Sequence, residues 1–265
     1  MTSRRSDHAA WFLLLLAVVV AGCRSVPSEG VHPHEEELTD EQIASARVEG
    51  ERLWQVDPRS LITAESSLDW FRSIARGRPD DYEACWKGAR AAAWIAARES
   101  GDDERKKFAM EGIELGNSAV ATNAAGVEGH VWLAFAMGEL ADVDHAYGLD
   151  AVKKMEEHCL AAIAADERYD HASAHRLVGT LYFMCPGPPT SIGSPRNAKK
   201  HLERALELEP GWPENHLWMG KFARDQGDTA RAREELGWVL AAAAPKGCRT
   251  EAREWASKAK DELAK

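Results

Sequence analysis

Apolar residues recur at three- and four-residue spacing along most of the chain after residue 38, and no stretch alternates with period two. The pattern predicts helices and no sheet. Ile43, Ala46, Gly50, Leu53 and Trp54 form the first stripe. Thr39-Asp40-Glu41-Gln42 opens it in capping-box form, and Pro58 stops it. A second helix is predicted from Ser60 to Arg76, with Leu61, Leu68, Phe71 and Ile74 inward. From Asp80 the helices come in pairs. Cys85, Gly88, Ala92 and Ile95 mark the seam of one, and Gly101-Asp102-Asp103 turns the chain into a partner from Glu104 to Thr122. Val127–Ala141 pairs with Leu149–Ala165. A third pair sets Val178, Gly179 and Tyr182 against Ala198, Leu202 and Ala205. The fourth runs from Glu214 to Asp225, turns at Gln226-Gly227-Asp228, and returns from Thr229 to Ala243 before Pro245. Gly220, Ala223 and Ala232 lie where its helices must approach, and Met219, Leu236 and Val239 fill the seam. Thr250–Ala264 closes the series, with Trp255, Ala259 and Leu263 on one side.

Helix-turn-helix units of this make, repeating at about 34 residues, are the tetratricopeptide repeat. The expected fold class is all-α: about four tetratricopeptide-like hairpins over residues 39–265, preceded by N-terminal helices and ended by a C-terminal capping helix. A polar outer face on the last helix keeps the end of such a stack soluble. One place breaks the pattern. Between Met184 and Pro195 stands the extra loop CPGPPTSIGS. Insertions in a repeat stack project from one face, often the binding face. Its prolines make the loop stiff, so it loses little entropy on binding. Pro188, Pro189 and Ile192 are therefore candidate partner residues. The other reading of the loop is a spacer that fits one hairpin to the next.

Three histidines recur at one place in successive hairpins: His130, His175 and His216, 45 and 41 residues apart. They read either as a row of imidazoles along one groove or as seam residues bonded to the neighbouring turn. Aromatic residues interleave on the first helix of each pair, and Trp132, Tyr182 and Trp218 join the candidate ligand or partner surface. Helix-spaced aromatics equally describe a core. No G-x-S-x-G, H-E-x-x-H, phosphate loop or dinucleotide fingerprint occurs, so nothing argues for catalysis, a cofactor or a metal centre.

The chain is acidic, with a formal net charge of −10 and no basic stripe, which argues against nucleic acid as a partner. Residues 1–22 have the proportions of a lipoprotein signal peptide: Arg4 and Arg5, then an apolar run from Trp11 to Val20 that is short for a membrane span. It ends in Val20-Ala21-Gly22-Cys23, which resembles a bacterial lipobox. Cys23 is then the lipidated N-terminus, residues 23–38 are a flexible tether, and the membrane is reached through the lipid alone. His32 and His34 lie in that tether beside Glu35-Glu36-Glu37 and read as solvated linker. Cys85, Cys159, Cys185 and Cys248 lie far apart with no C-x-x-C pair, which speaks against zinc and names no disulfide.

The lipobox, the phrase EGHVWLAFAMGELAD and above all GTLYFMCPGPPTSIGSPRNAKKHLERALELEPGWPENHLWMGKFARDQGD resemble the T-component lipoproteins of tripartite ATP-independent periplasmic (TRAP) transporters. Similar phrasing occurs in the regulators of microtubule dynamics, which share the repeat domain and lack the lipobox. The transporter resemblance implies a periplasm-facing accessory that docks a periplasmic solute-binding protein. An apolar small ligand and self-association are further expectations. Arg24, after the lipidated cysteine, leans the localisation to the outer membrane. A stand-alone envelope scaffold for protein-protein assembly is the alternative.

Overall fold

The computed structural model describes residues 38–265 and contains eleven helices there. α1 (Asp40–Trp54) starts where Thr39 accepts from the Gln42 amide, while the Gln42 side chain accepts from the Thr39 amide at 2.8 Å. Ser60 and Thr63 form the same reciprocal cap on α2 (Leu61–Gly77). Two backbone donors are satisfied at each start, which places both helix ends within a residue of where the sequence put them.

Four hairpins follow. α3 (Tyr82–Ala96) pairs with α4 (Asp102–Thr122), α5 (Val127–Val143) with α6 (His145–Asp166), α7 (Tyr169–Met184) with α8 (Pro195–Leu208), and α9 (Pro213–Asp225) with α10 (Thr229–Ala241). α11 (Arg249–Ala264) packs on α9 and α10. The all-α hairpin stack read from the periodicity is the observed fold. α6 begins four residues earlier than the apolar pattern suggested, because the Asp144 carboxylate caps it by accepting from the Tyr147 amide at 3.1 Å. No described helix is long and apolar enough to cross a membrane.

Small residues set the seams. A Cβ added to Gly220 would meet Leu236 at 2.7 Å, and one added to Gly116 would meet Leu133 at 2.9 Å. The larger side chains of the partner helix occupy the space that each glycine leaves.

The first turn of α7 is irregular. Asp170, His171 and Ala172 take left-handed φ values of 46°, 58° and 60°. Each such non-glycine residue costs roughly 1–2 kcal/mol, so the surroundings must hold the bend. His171 stacks on Trp212 with centroids 3.6 Å apart, and its carbonyl accepts from Arg176 and Asn215 at 3.3 Å each. Ala172 is buried against Ala205 and Leu208.

The far ends of the described chain meet. The first turn of α11 reaches the α1–α2 connection and α3 across more than 150 residues. Arg59 Nη1 lies 2.6 Å from Glu251, Trp94 Nε1 donates to the same oxygen at 2.7 Å, and Arg98 grips Glu254 through two bonds of 2.9 and 2.6 Å. Thr250 donates to the Arg59 carbonyl at 2.7 Å, and Arg249 donates to Asp57. A capping role for α11 is therefore only half of what it does. Trp255 and Ala259 cover the last hairpin, and its acidic first turn ties back to the first one.

Candidate functional site

The three recurrent histidines lie in the seams between paired helices. His130, His175 and His216 are 7%, 6% and 9% exposed. In each hairpin the imidazole bonds across to the return helix. His130 Nδ1 lies 2.9 Å from His158 Nδ1, His175 Nδ1 lies 2.9 Å from His201 Nδ1, and His216 Nδ1 lies 2.5 Å from a Glu235 oxygen. The other ring nitrogen is tied to the chain just upstream: to the carbonyl of Ala124 at 3.0 Å, to Glu167 at 3.4 Å, and to the carbonyl of Pro210 at 2.8 Å. The first hairpin carries Cys85 at the same place, and its thiol donates to the Pro79 carbonyl at 3.5 Å.

These contacts assign the tautomers. The Ala124 carbonyl only accepts, so a neutral His130 holds its proton on Nε2 and leaves a bare lone pair on Nδ1. His158 then donates Nδ1–H across the seam. The same order runs from Glu167 through His175 to His201. Burial pushes His158 and His175 below the ordinary imidazole range. Burial, with the neighbouring His175 and then Lys200 adding repulsion, takes His201 down to about 4. An imidazole pair therefore closes each of these two seams, with burial favouring the neutral form of His158, His175 and His201.

Two corrections to the expected surface follow. The imidazoles do not form an open row, because each is sealed between its own pair of helices. Tyr182, at 6% exposed, is equally buried, and its hydroxyl donates to Glu156. The sequence showed the three histidines of the first helices. It hid their partners His158, His201 and Glu235, which sit on return helices at spacings that differ from hairpin to hairpin.

Of the remaining expected surface, Trp132 and Trp218 are half-buried and belong to separate clusters. Trp132 stacks on Phe135 and donates to the Tyr169 hydroxyl at 3.1 Å. Trp218 lies under Lys221 at 4.0 Å. Pro188 and Pro189 are exposed at the tip of the insertion. Ile192 turns inward and packs against both the Val178–Leu202 cluster and the Met137–Met155 cluster. Gly193 and Ser194 amides return to the Pro186 and Tyr182 carbonyls at 2.9 Å each. The loop is thus anchored at its base and free at its two prolines.

Cys85 and Cys159 are buried and Cys185 and Cys248 are half-buried, all as free thiols. Burial pushes the Cys85 and Cys248 thiols up to about 11, so neither holds a thiolate at neutral pH. Among the described residues no three of His, Cys, Asp and Glu converge on a point that would hold a metal. Cys23, Arg24, His32 and His34 lie outside the described residues.

Comparisons with known proteins fit this architecture. No curated protein matches the chain in a sequence search. Among solved structures, a thermophilic TPR protein of Thermus thermophilus superposes with a TM-score of 0.61 at 20% identity, covering 82% of this chain and 98% of its own. A crystal structure of MamA protein aligns with a TM-score of 0.48 at 15% identity, over 85% of this chain and 94% of its own. Residues 58–186, just under half of the chain, match the model of the family described as regulator of microtubule dynamics protein 1-3. That match falls on the second of the two families whose phrasing the sequence resembles. The chain has a tetratricopeptide-like helical-repeat fold.

Proposed function

We propose that this protein is a scaffold for protein-protein interaction. The observation that carries the reading is the repeated seam. Three successive hairpins are each locked by an imidazole bonded across to the return helix, to a second histidine in two of them and to Glu235 in the third, and the last helix is tied to the first hairpin. Such a stack holds its surface in one shape, which is what a docking platform needs. The exposed Pro188-Pro189 tip and the half-buried Trp132 and Trp218 are the groups offered to a partner.

In its finer form the reading places the scaffold at the periplasmic face of an envelope membrane, the outer one by Arg24, anchored through Cys23. Its partner is then a solute-binding protein of a TRAP transport system. The lipobox and the quoted phrases support this form. The alternative is a stand-alone envelope scaffold lipoprotein for protein-protein assembly, a reading that the tetratricopeptide-like fold supports loosely.

The test is a photo-crosslinker placed at position 188 of the full chain, followed by capture from solubilised membranes. The scaffold reading expects one dominant adduct that is lost when Trp218→Ala is added. A solute-binding protein in that adduct supports the finer form, and any other envelope protein supports the alternative. Absence of an adduct at positions 188, 132 and 218 alike overturns the scaffold reading. Cys23→Ala tests the anchor separately: continued fatty-acid labelling of that variant rules it out.

A further inference from the structure

The two ends of the stack meet without a shared apolar seam. No residue of α11 belongs to the apolar cluster of the first helices, and none of α1, α2 or α3 belongs to the cluster around Trp255. Hydrogen bonds and ion pairs join them instead: Arg59 and Trp94 to Glu251, Arg98 to Glu254, and Thr250 to the Arg59 carbonyl. Each hairpin of a repeat stack packs chiefly on its neighbours, so the ends can part while α11 stays seated on α9 and α10.

The basic side of this junction is built by the first helices themselves. Arg59 Nε donates to the Trp54 carbonyl at 2.8 Å, and its guanidinium lies over the Trp54 ring at 3.8 Å. Arg98 repeats the arrangement at the end of α3. Its Nη1 donates to the Trp94 carbonyl at 3.1 Å, and its guanidinium lies over the Trp94 ring at 4.0 Å. A stacking contact and a carbonyl bond hold each guanidinium in place, so each is ready to grip a carboxylate at little further loss of freedom.

The first turn of α11 shows what these guanidiniums select. Glu251 and Glu254 stand three residues apart, on one face of the helix, and one goes to each arginine. The fit is incomplete. Glu251 Oε2 is buried without a partner. So is Nε of Arg90, whose guanidinium lies over the same Trp54 ring at 4.1 Å. A buried donor and a buried acceptor left unmet weaken the contact that leaves them so.

We propose that Arg59, Arg98 and Trp94 form a docking site for an acidic helix of a partner protein, with two carboxylates three residues apart, and that the first turn of α11 is its resident competitor. The partner enters when the ends part, and its apparent affinity is reduced by the fraction of time that α11 fills the site. The inference rests on the scaffold reading and names the chemistry of one partner. It uses none of Trp132, Pro188, Pro189 or Trp218, so crosslinking at those positions and the titration below fail separately.

The probe is a fluorescently labelled peptide of residues 249–264, which carries both glutamates at the required spacing. Its anisotropy is followed at low salt as the full chain is added. Glu254→Gln in the chain releases Arg98, and this variant should bind the peptide about tenfold more tightly than the wild type does. Arg98→Gln added to it should reverse the gain. A peptide with glutamine at both positions should bind neither chain. A melt of each variant confirms folding, and if Glu254→Gln does not fold, Thr250→Val loosens the junction through a neutral bond instead. No binding to the loosened chain up to about 1 mM peptide overturns the proposal. Equal binding of the glutamine peptide, as expected if the peptide merely replaced Trp255 on the last hairpin, overturns it too. So does indifference to Arg98→Gln, or equal affinity for the wild-type and loosened chains.

Discussion

Arg59 and Glu251 stand 192 residues apart in sequence and meet at 2.6 Å. Both side chains are largely buried, at 7% and 13% exposed, and Arg59 also lies over the Trp54 ring at 3.8 Å. The same Glu251 oxygen accepts from Trp94. This contact makes α11 part of the first hairpin as well as the last. Glu251→Ala leaves the Arg59 guanidinium buried without its carboxylate, and breaking such a pair costs on the order of 3–5 kcal/mol. Urea denaturation should show most of that loss. Limited proteolysis should cut first between Ala242 and Cys248, where the loosened helix joins the stack. An unchanged midpoint would mean that the two ends are not coupled.

Two glycines that look alike in sequence should behave oppositely. Gly220→Ala forces the Leu236 side chain aside from 2.7 Å, and Gly220→Leu should overpack the seam at a cost of about 1–3 kcal/mol. Gly237 sits inside α10 with nothing within 4 Å of an added Cβ. Gly237→Ala should therefore stabilise by about 0.5–1 kcal/mol through helix propensity and a less flexible unfolded chain. Thermal melts of the pair decide the matter, and a shift of the same sign in both would contradict the seam assignment.

The imidazole seams make stability depend on pH. Unfolded, His158, His175 and His201 each take a proton near pH 6.5. Folded, all three hold it less well, His201 down to about 4. Below about pH 6.5 the unfolded chain binds more protons than the folded one, so stability is whole above that value and falls as the pH drops toward 4. Glu139 works the other way, because burial raises it to about 6 and its protonation favours the folded state. Burial raises the Asp170 carboxyl in the same direction, so three imidazoles stand against two carboxyls, and the Tm should fall between pH 7 and pH 5, before most carboxylates titrate. His201→Gln should flatten that slope whatever it does to the Tm at pH 7. A slope identical to the wild type would show that the His201 seam does not govern it.

The insertion should separate into a structural base and a dispensable tip. A Cβ on Gly193 would lie 1.9 Å from the Cys185 carbonyl oxygen and 2.7 Å from Pro186 backbone, so Gly193→Ala must displace the loop. Ile192→Ser removes a contact to two apolar clusters and should lower the Tm. Changing Pro188 and Pro189 together to glycine touches only exposed residues and should leave the Tm close to wild type. A large loss of stability from the double-glycine change would mean that the tip supports the fold.

The helices and their pairing were legible in the sequence because both depend on local signals. Capping at Thr39, the turns at Gly101 and Gly227, and the small seam residues around Gly220 act within one hairpin. Period and composition therefore suffice for an all-α repeat stack. The recurrence of His130, His175 and His216 was also legible, since equivalent repeat positions share a packing role.

What the imidazoles face was decided only by tertiary structure. His158, His201 and Glu235 depend on how far each return helix slides along its partner, and loop lengths of different size change that offset. The same holds for Arg59 and Glu251, whose meeting requires every hairpin between them to add its own rotation to the stack. Local periodicity fixes which face of a helix is buried. Only the summed geometry of the packed stack determines which buried faces, and which charges at their edges, come together.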